Sequence, residues 1–203
     1  MHAAQGAAVA GTPALAQPPI RVALVEGMSG PFANAGEAVR RNLEWAIERV
    51  NERGGVRYPS GSRKLELVVH DGKGAVEESI AAFRRVTDER IGFLVQGNGS
   101  AVAEALVKAV ENHNHRAQDH QVMFLNYSAV DPALTNEKCS FWHFRFDAHA
   151  GMRMHALTEL LKGEARSRRV YLIGQDYSFG REVLALARQM IGEKRSDFVI
   201  VGE

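Results

Sequence analysis

The chain has 203 residues, 45% hydrophobic and 24% charged, which gives apolar mass for a buried core in too polar a balance for a membrane-embedded or disordered protein. Lys and Arg number 25 against 24 Asp and Glu, a net charge of +1 that supplies no field for gripping a phosphate backbone or inserting into an anionic membrane. The single cysteine, Cys139, excludes an internal disulfide and a CxxC metal or redox pair.

Residues 1–19 are mostly small, apolar and uncharged, and Ala14-Leu15-Ala16 has the A-x-A form of a signal-peptidase site. They read as the remnant of an export signal or as a disordered tail. From Ile20 onward short β-rich runs alternate with longer amphipathic ones, the pattern of a mainly parallel sheet covered by helices, a doubly wound α/β fold. Strands are predicted over Ile20–Val25, Leu65–His70, Ile91–Val95, Val122–Asn126, Ser140–Phe146, Val170–Ile173 and Phe198–Val201. Between them, apolar residues recur at helical spacing: Val39, Leu43, Ile47 and Val50, then Val76, Ile80, Phe83 and Val86, then Val102, Leu106, Ala109 and Val110. Gly54-Gly55 predicts the stop of the first helix, and Tyr58-Pro59-Ser60-Gly61 a surface turn. Trp45 and Trp142 read as core residues.

The alternation loosens over Asn112–Phe146, where Asn112–Gln121 reads as a polar, irregular stretch carrying His113, His115, Asp119 and His120 as a solvated loop. A domain boundary is expected just after it, dividing the chain into 20–146 and 147–203. The second part holds only three β-α elements, fewer than a self-sufficient sheet needs, so the polypeptide is expected to continue past Glu203.

In a doubly wound sheet a ligand sits beyond the carboxyl ends of the strands, so the loops there carry the functional signal. Glu26-Gly-Met-Ser-Gly-Pro-Phe-Ala33 follows the first strand and Gln96-Gly-Asn-Gly-Ser-Ala101 the third, each running into a helix N-terminus. Small residues let backbone N–H groups approach a ligand, and the positive end of the helix dipole favours an anionic group. Tyr127-Ser-Ala-Val-Asp-Pro132 and Gly174-Gln-Asp-Tyr-Ser-Phe-Gly180 follow later strands and add Tyr127, Tyr177 and Phe179. Each loop alone is an ordinary β-α turn; four at successive strand ends suggest one small-ligand cleft. The sequence has no complete dinucleotide fingerprint, no phosphate-binding P-loop, no GxSxG elbow and no histidine spacing typical of a metal site. No metal, cofactor or catalytic set is therefore assigned.

As an ordered set these loops resemble the type I periplasmic binding proteins of the branched-chain amino-acid (Leu/Ile/Val) transport class. Gly27-Met-Ser-Gly-Pro31 with Gly36 resembles that family's G-x-x-S-G-P…G opening, and Val50-Asn-Glu-Arg-Gly-Gly-Val56 its IN-x-x-GG-I helix end. Asp71 matches part of its DD strand end; Ser128–Thr135 resembles SAT-x-P-x-LT, Phe144-Arg145 the F-R approach to the second lobe, and Asp176–Gly180 D-x-x-YG. The resemblance implies two α/β lobes that close on a small ligand and deliver it to membrane permease subunits of an ABC importer, in the periplasm, without catalysis. It further implies ligand contacts from Ser29, Asn98, Gly99, Ser100, Tyr127, Ser128, Ala129, Tyr177 and Phe179, with the Ser100 hydroxyl and nearby N–H groups holding a carboxylate. Two positions depart from the amino-acid binders: Val130 where a Thr often helps hold the ammonium, and Ala35 where an aromatic often packs. An amino acid is thus the expected ligand, with a urea, amide, carboxylate or aromatic acid as alternatives. The competing functional readings are a cytoplasmic amide or amino-acid sensor of the same fold and an α/β enzyme using Asp71 or a histidine as base.

Overall fold

A computed structural model of the chain describes residues 17–164, 166–176 and 178–203. Five strands form one parallel sheet: β1 (Ile20–Glu26), β4 (Leu65–Asp71), β5 (Phe93–Gln96), β6 (Met123–Asn126) and β7 (His143–Arg145), in the order β4-β1-β5-β6-β7. Their register is fixed by matched apolar runs, with Ile20 opposite Leu65 and Glu26 opposite Asp71. Between β1 and β4 the chain also forms an antiparallel hairpin, β2 (Val56–Tyr58) and β3 (Gly61–Arg63), joined through Pro59-Ser60. The sequence reading identified the turn and missed its strands, which are only three residues each and too short to show a period.

The crossovers are helical. α1 (Ala33–Glu52) connects β1 to the hairpin, α2 (Val76–Asp88) connects β4 to β5, and α3 (Ser100–Arg116) connects β5 to β6. From β1 the chain steps outward to β4, then returns past β1 to β5. With right-handed crossovers, that reversal puts α1 on one face of the sheet and α2 and α3 on the other. The core lies under α2 and α3, where Val86, Leu94, Leu106, Val110, Val122 and Phe124 are almost fully excluded from water.

The helix ends are docked by side-chain amides. Asn51 donates from Nδ2 to the Leu65 carbonyl and accepts the Leu65 N–H, both at 2.8 Å, tying the end of α1 to the start of β4. Asn114 does the same to Val122 at the start of β6, also at 2.8 Å. Gly55, at φ +84, closes α1 with its N–H bonded to the Val50 carbonyl, a left-handed backbone that L side chains resist.

One correction concerns the stretch Asn112–Gln121: its first half is helical, because α3 continues to Arg116 and carries His113 and His115, while 117–121, with Asp119 and His120, is irregular as expected. His113 packs edge-on against Phe83 and contacts the His120 carbonyl through its ring nitrogen. Trp45 is a second correction, since it is 65% exposed whereas Trp142 packs against the core. It lies two residues from both Leu43 and Ile47, which places it on the opposite side of α1 from the apolar stripe.

After β7 the chain forms α4 (Ala150–Leu161), β8 (Arg169–Tyr171), α5 (Ser178–Lys194) and β9 (Val199–Gly202), with β8 and β9 making a separate parallel pair. Leu172, Ala187 and Ile191 centre a small cluster there, flanked by Met154, Leu161 and Ile200. His149 caps α4 by accepting the Met152 N–H, and the two units are linked by the Ala150 N–H bonded to the Val130 carbonyl at 2.8 Å.

Candidate functional site

The reversal between β1 and β5 splits the loops at the carboxyl end of the sheet, and the structure has a cleft of about 260 Å³ at that switch point. Phe32 and Ala35 line it from the first loop and the start of α1. Gly97 through Ser100 contribute from the turn into α3, Ser128 through Val130 from the loop after β6, and Arg153 and Phe179 from α4 and α5. The volume is just below the range of about 300–1,000 Å³ usual for small-molecule sites, which suits a ligand of metabolite size.

Beneath the cleft the sheet ends in three buried polar side chains, Glu26, Gln96 and Asn126, at 2%, 1% and 0% exposure. Polar groups so deep must be hydrogen-bonded, and two of them use that obligation to shape loops. The Glu26 carboxylate accepts the N–H groups of Gly97 at 2.8 Å and Asn98 at 2.9 Å and the hydroxyl of Tyr127 at 2.6 Å. It thereby fixes the β5–α3 turn to the ends of β1 and β6. Burial, the Glu26 charge and this hydrogen bond push the Tyr127 hydroxyl well above its ordinary range, so it stays a proton donor. Asn126 accepts the N–H groups of Ser128 at 3.1 Å and Ala129 at 2.7 Å and donates to the Ala129 carbonyl at 3.0 Å, folding the loop back over its strand. The two loops meet at Gly97, where a Cβ would fall 2.7 Å from the Ser128 nitrogen and 2.9 Å from the Tyr127 ring. Gln96 Oε1 and Asn98 Nδ2 are buried without a partner among the described residues.

At the mouth of α3, Ser100 is 8% exposed and its Oγ accepts the Asp131 N–H at 3.3 Å, joining the α3 turn to the β6 loop. The first-turn N–H groups of α3 have no side-chain cap. Ser100 and Ser128 therefore share one wall of donors beside the positive end of a 17-residue helix, an arrangement suited to a carboxylate.

The residues implied by the sequence divide into four groups. Asn98, Gly99, Ser100, Ser128, Ala129 and Phe179 all line the cleft. Tyr127 lies behind the wall and points to Glu26. Ser29 is elsewhere: its hydroxyl donates to Asp71 Oδ2 at 2.6 Å, and the same carboxylate accepts the N–H groups of Met28 and Lys73. Burial of Asp71 opposes its ionisation, but these donors outweigh it and hold the carboxyl below its usual range, as befits a loop clamp. Tyr177 lies outside the described residues.

Sequence reasoning overlooked Glu26, Phe32 and Arg153. An acid closing the apolar run Val22–Val25 signals a charge that the fold must satisfy internally, so Glu26 was discoverable. Arg153 carries no such local signal, because only the approach of α4 to the first unit brings it to the cleft.

Residues 19–203 match the profile of the periplasmic binding protein family. The chain belongs to that family. A Leu/Ile/Val-binding protein homolog 4 from Brucella abortus is 31% identical over 86% of this chain and 41% of its own length. The crystal structure of a leucine-, isoleucine-, valine-, threonine- and alanine-binding protein from Brucella ovis, in a closed conformation, superposes with a TM-score of 0.76 at 28% identity, covering 91% of this chain and 46% of that one. A branched-chain amino acid transporter substrate-binding protein from Streptococcus pneumoniae, solved with isoleucine, shares the fold at a TM-score of 0.71 and 20% identity, over 91% of this chain and 48% of that one. The expected resemblance to type I binding proteins of the branched-chain class, and the α/β architecture it implied, are borne out. The chain spans somewhat under half the length of these relatives. The family is one of binding proteins, and among the described residues no helix is long and apolar enough to cross a membrane.

Proposed function

We propose that this chain supplies one wall, and part of the other, of a receptor that captures an amino acid or a related small polar metabolite in the periplasm for an ABC importer. Residues 20–146 act as the first ligand-binding lobe and 147–203 as the opening part of the second. The ligand's carboxylate is held by Ser100, Ser128 and the N–H groups at the start of α3, and the Phe179 ring covers it from the second unit. Membrane permease subunits are the partners, and capture is driven by closure of the two units over the cleft rather than by chemistry.

The observation that carries this reading is the convergence of three strand-end loops on one cleft at the topological switch point, with Ser100 and Ser128 on the same wall. The names of the relatives, which bind leucine, isoleucine and valine among others, support an amino-acid ligand.

The test is an amide-resolved NMR titration of the chain with L-leucine, L-isoleucine, L-valine and acidic and amide analogues, a method that reads millimolar affinities. Shifts clustered at Gly97–Ser100 and Ser128–Val130, weakened about tenfold in S100A, are expected, since one hydrogen bond to a charged group is worth about 1.5–3 kcal/mol. Turnover of any panel member, or shifts confined to other surfaces, would end the receptor reading.

A further inference from the structure

The cleft has one ionisable side chain among its described lining residues, Arg153, and no carboxylate. Arg153 sits in the first turn of α4 and is held from two sides. Its Nε donates to the Ala148 carbonyl at 3.0 Å, and its Nη2 pairs with the Asp147 carboxylate, which also accepts the Ala148 N–H. Nη1 has no partner among the described residues, so the guanidinium presents an oriented, unused donor edge. The pairing with Asp147 leaves the Arg153 side chain about half exposed, and an ion pair in that setting is too weak to withdraw it from a ligand.

Ala35 and Val130 also line the cleft, neither able to donate or accept through its side chain. The polar donors therefore come from two parts of the chain: Ser100, Ser128 and the α3 N-terminus in the first unit, and Arg153 on α4. A ligand with a single carboxylate and an aliphatic tail satisfies only the first and leaves the tail facing a cation. A ligand with an anionic group at each end satisfies both, and a planar guanidinium fork matches a carboxylate.

Resting on the receptor reading above, we infer that Arg153 is a specificity determinant and that the cleft takes a compound with a second carboxylate, a dicarboxylate or an acidic amino acid, in preference to an aliphatic amino acid. Arg153 supplies charge-assisted bonds to the distal carboxylate, and Asp147 fixes the direction in which they point.

The probes are glutarate, L-glutamate, L-glutamine and L-leucine, titrated into the intact chain and into R153Q by amide-resolved NMR. Glutamate and glutamine differ in charge and hardly in size, so their ratio isolates the effect of the second carboxylate. Glutarate and glutamate are expected to bind about 10- to 100-fold more tightly than leucine, the range of one charge-assisted contact. R153Q lowers glutarate and glutamate affinity more than leucine affinity, removing that preference, and keeps the unfolding midpoint, as expected for a half-exposed side chain. R153K, a point charge without the fork, restores part of the preference.

Leucine binding most tightly with no response to R153Q overturns the role of Arg153 and leaves the receptor standing. An equal loss for leucine and glutamate in R153Q also overturns it, because Arg153 is then a general wall and not a selector. If no probe binds, the receptor reading itself falls and takes this inference with it.

Discussion

The two units of this chain use the same β-α grammar to different ends. In the first, a five-stranded parallel sheet and the helices α2 and α3 bury a continuous cluster of sixteen apolar residues among the described residues. In the second, two strands and two helices bury three, and large apolar side chains such as Leu160 and Ile173 remain 76% and 89% exposed. The difference is one of surface to volume: a two-stranded sheet cannot cover its helices' inner faces as five strands can.

The largest test of that contrast is truncation of the cores. Leu106→Ala, at a position fully excluded from water, is expected to cost about 3–5 kcal/mol, while Leu172→Ala in the second unit costs under about 2 kcal/mol because its surroundings are already partly wet. Denaturant unfolding measures both, and hydrogen exchange should show β8 and α5 opening before β5 and α3. Equal costs would remove the distinction between the units.

Within the first unit, Glu26→Gln should come next. The N–H groups of Gly97 and Asn98 and the Tyr127 hydroxyl all meet one Glu26 oxygen, so Gln keeps that acceptor but gives up the charge that strengthens each bond and turns an NH2 group toward the Gly27 N–H that the other oxygen accepts, a loss of about 2 kcal/mol. Ligand-induced shifts at Ser100 and Ser128 should weaken in step. Retention of full affinity and stability would show that the β5–α3 turn holds its shape without the clamp.

Acid sharpens the comparison through the first unit's buried histidines. Burial holds both His143 and His70 below their ordinary value of 6.5, so the unfolded chain takes up protons that the folded chain refuses. Their neutral forms favour folding above about pH 6.5, and that advantage is lost as the pH falls below it, with a slope of at most about 1.4 kcal/mol per pH unit for each. Urea midpoints between pH 7.5 and 5 should fall for the wild type and fall less for His143→Gln; a flat profile would refute this. Smallest of all, Trp45→Ala should change stability by less than about 0.5 kcal/mol, since this residue faces water from α1. A loss of more than 1.5 kcal/mol would mean that its exposed face is not idle, on the usual scale of surface substitutions.

Much of the first unit was legible because its signals are local. The apolar runs at Ile20, Leu65 and Val122 and the helical stripes between them are set by the periods of strand and helix. The Gly54-Gly55 stop was legible for the same reason, whereas the Asn51 clamp, which reaches Leu65, was not. Trp45 was misread because residue type was allowed to outweigh its place on the helix. The first half of the segment after Asn112 was misread because polarity hid a helix whose end is docked by tertiary contacts, Asn114 to Val122 and His113 to Phe83.

Of the candidate site, the sequence by itself determined the donor-rich turns, since Gly, Ser and Asn at strand ends announce backbone that can approach a ligand. It determined the parallel α/β order as well, because alternating periods admit few other packings. Only the tertiary structure decided which of those turns share a wall. It set Ser100 and Ser128 together, took Ser29 away to Asp71, buried Glu26 beneath the loops and brought Arg153 across from α4. Such choices depend on where the crossovers reverse and how closely separate elements pack, and those are distances between residues far apart in the chain, which no local pattern encodes.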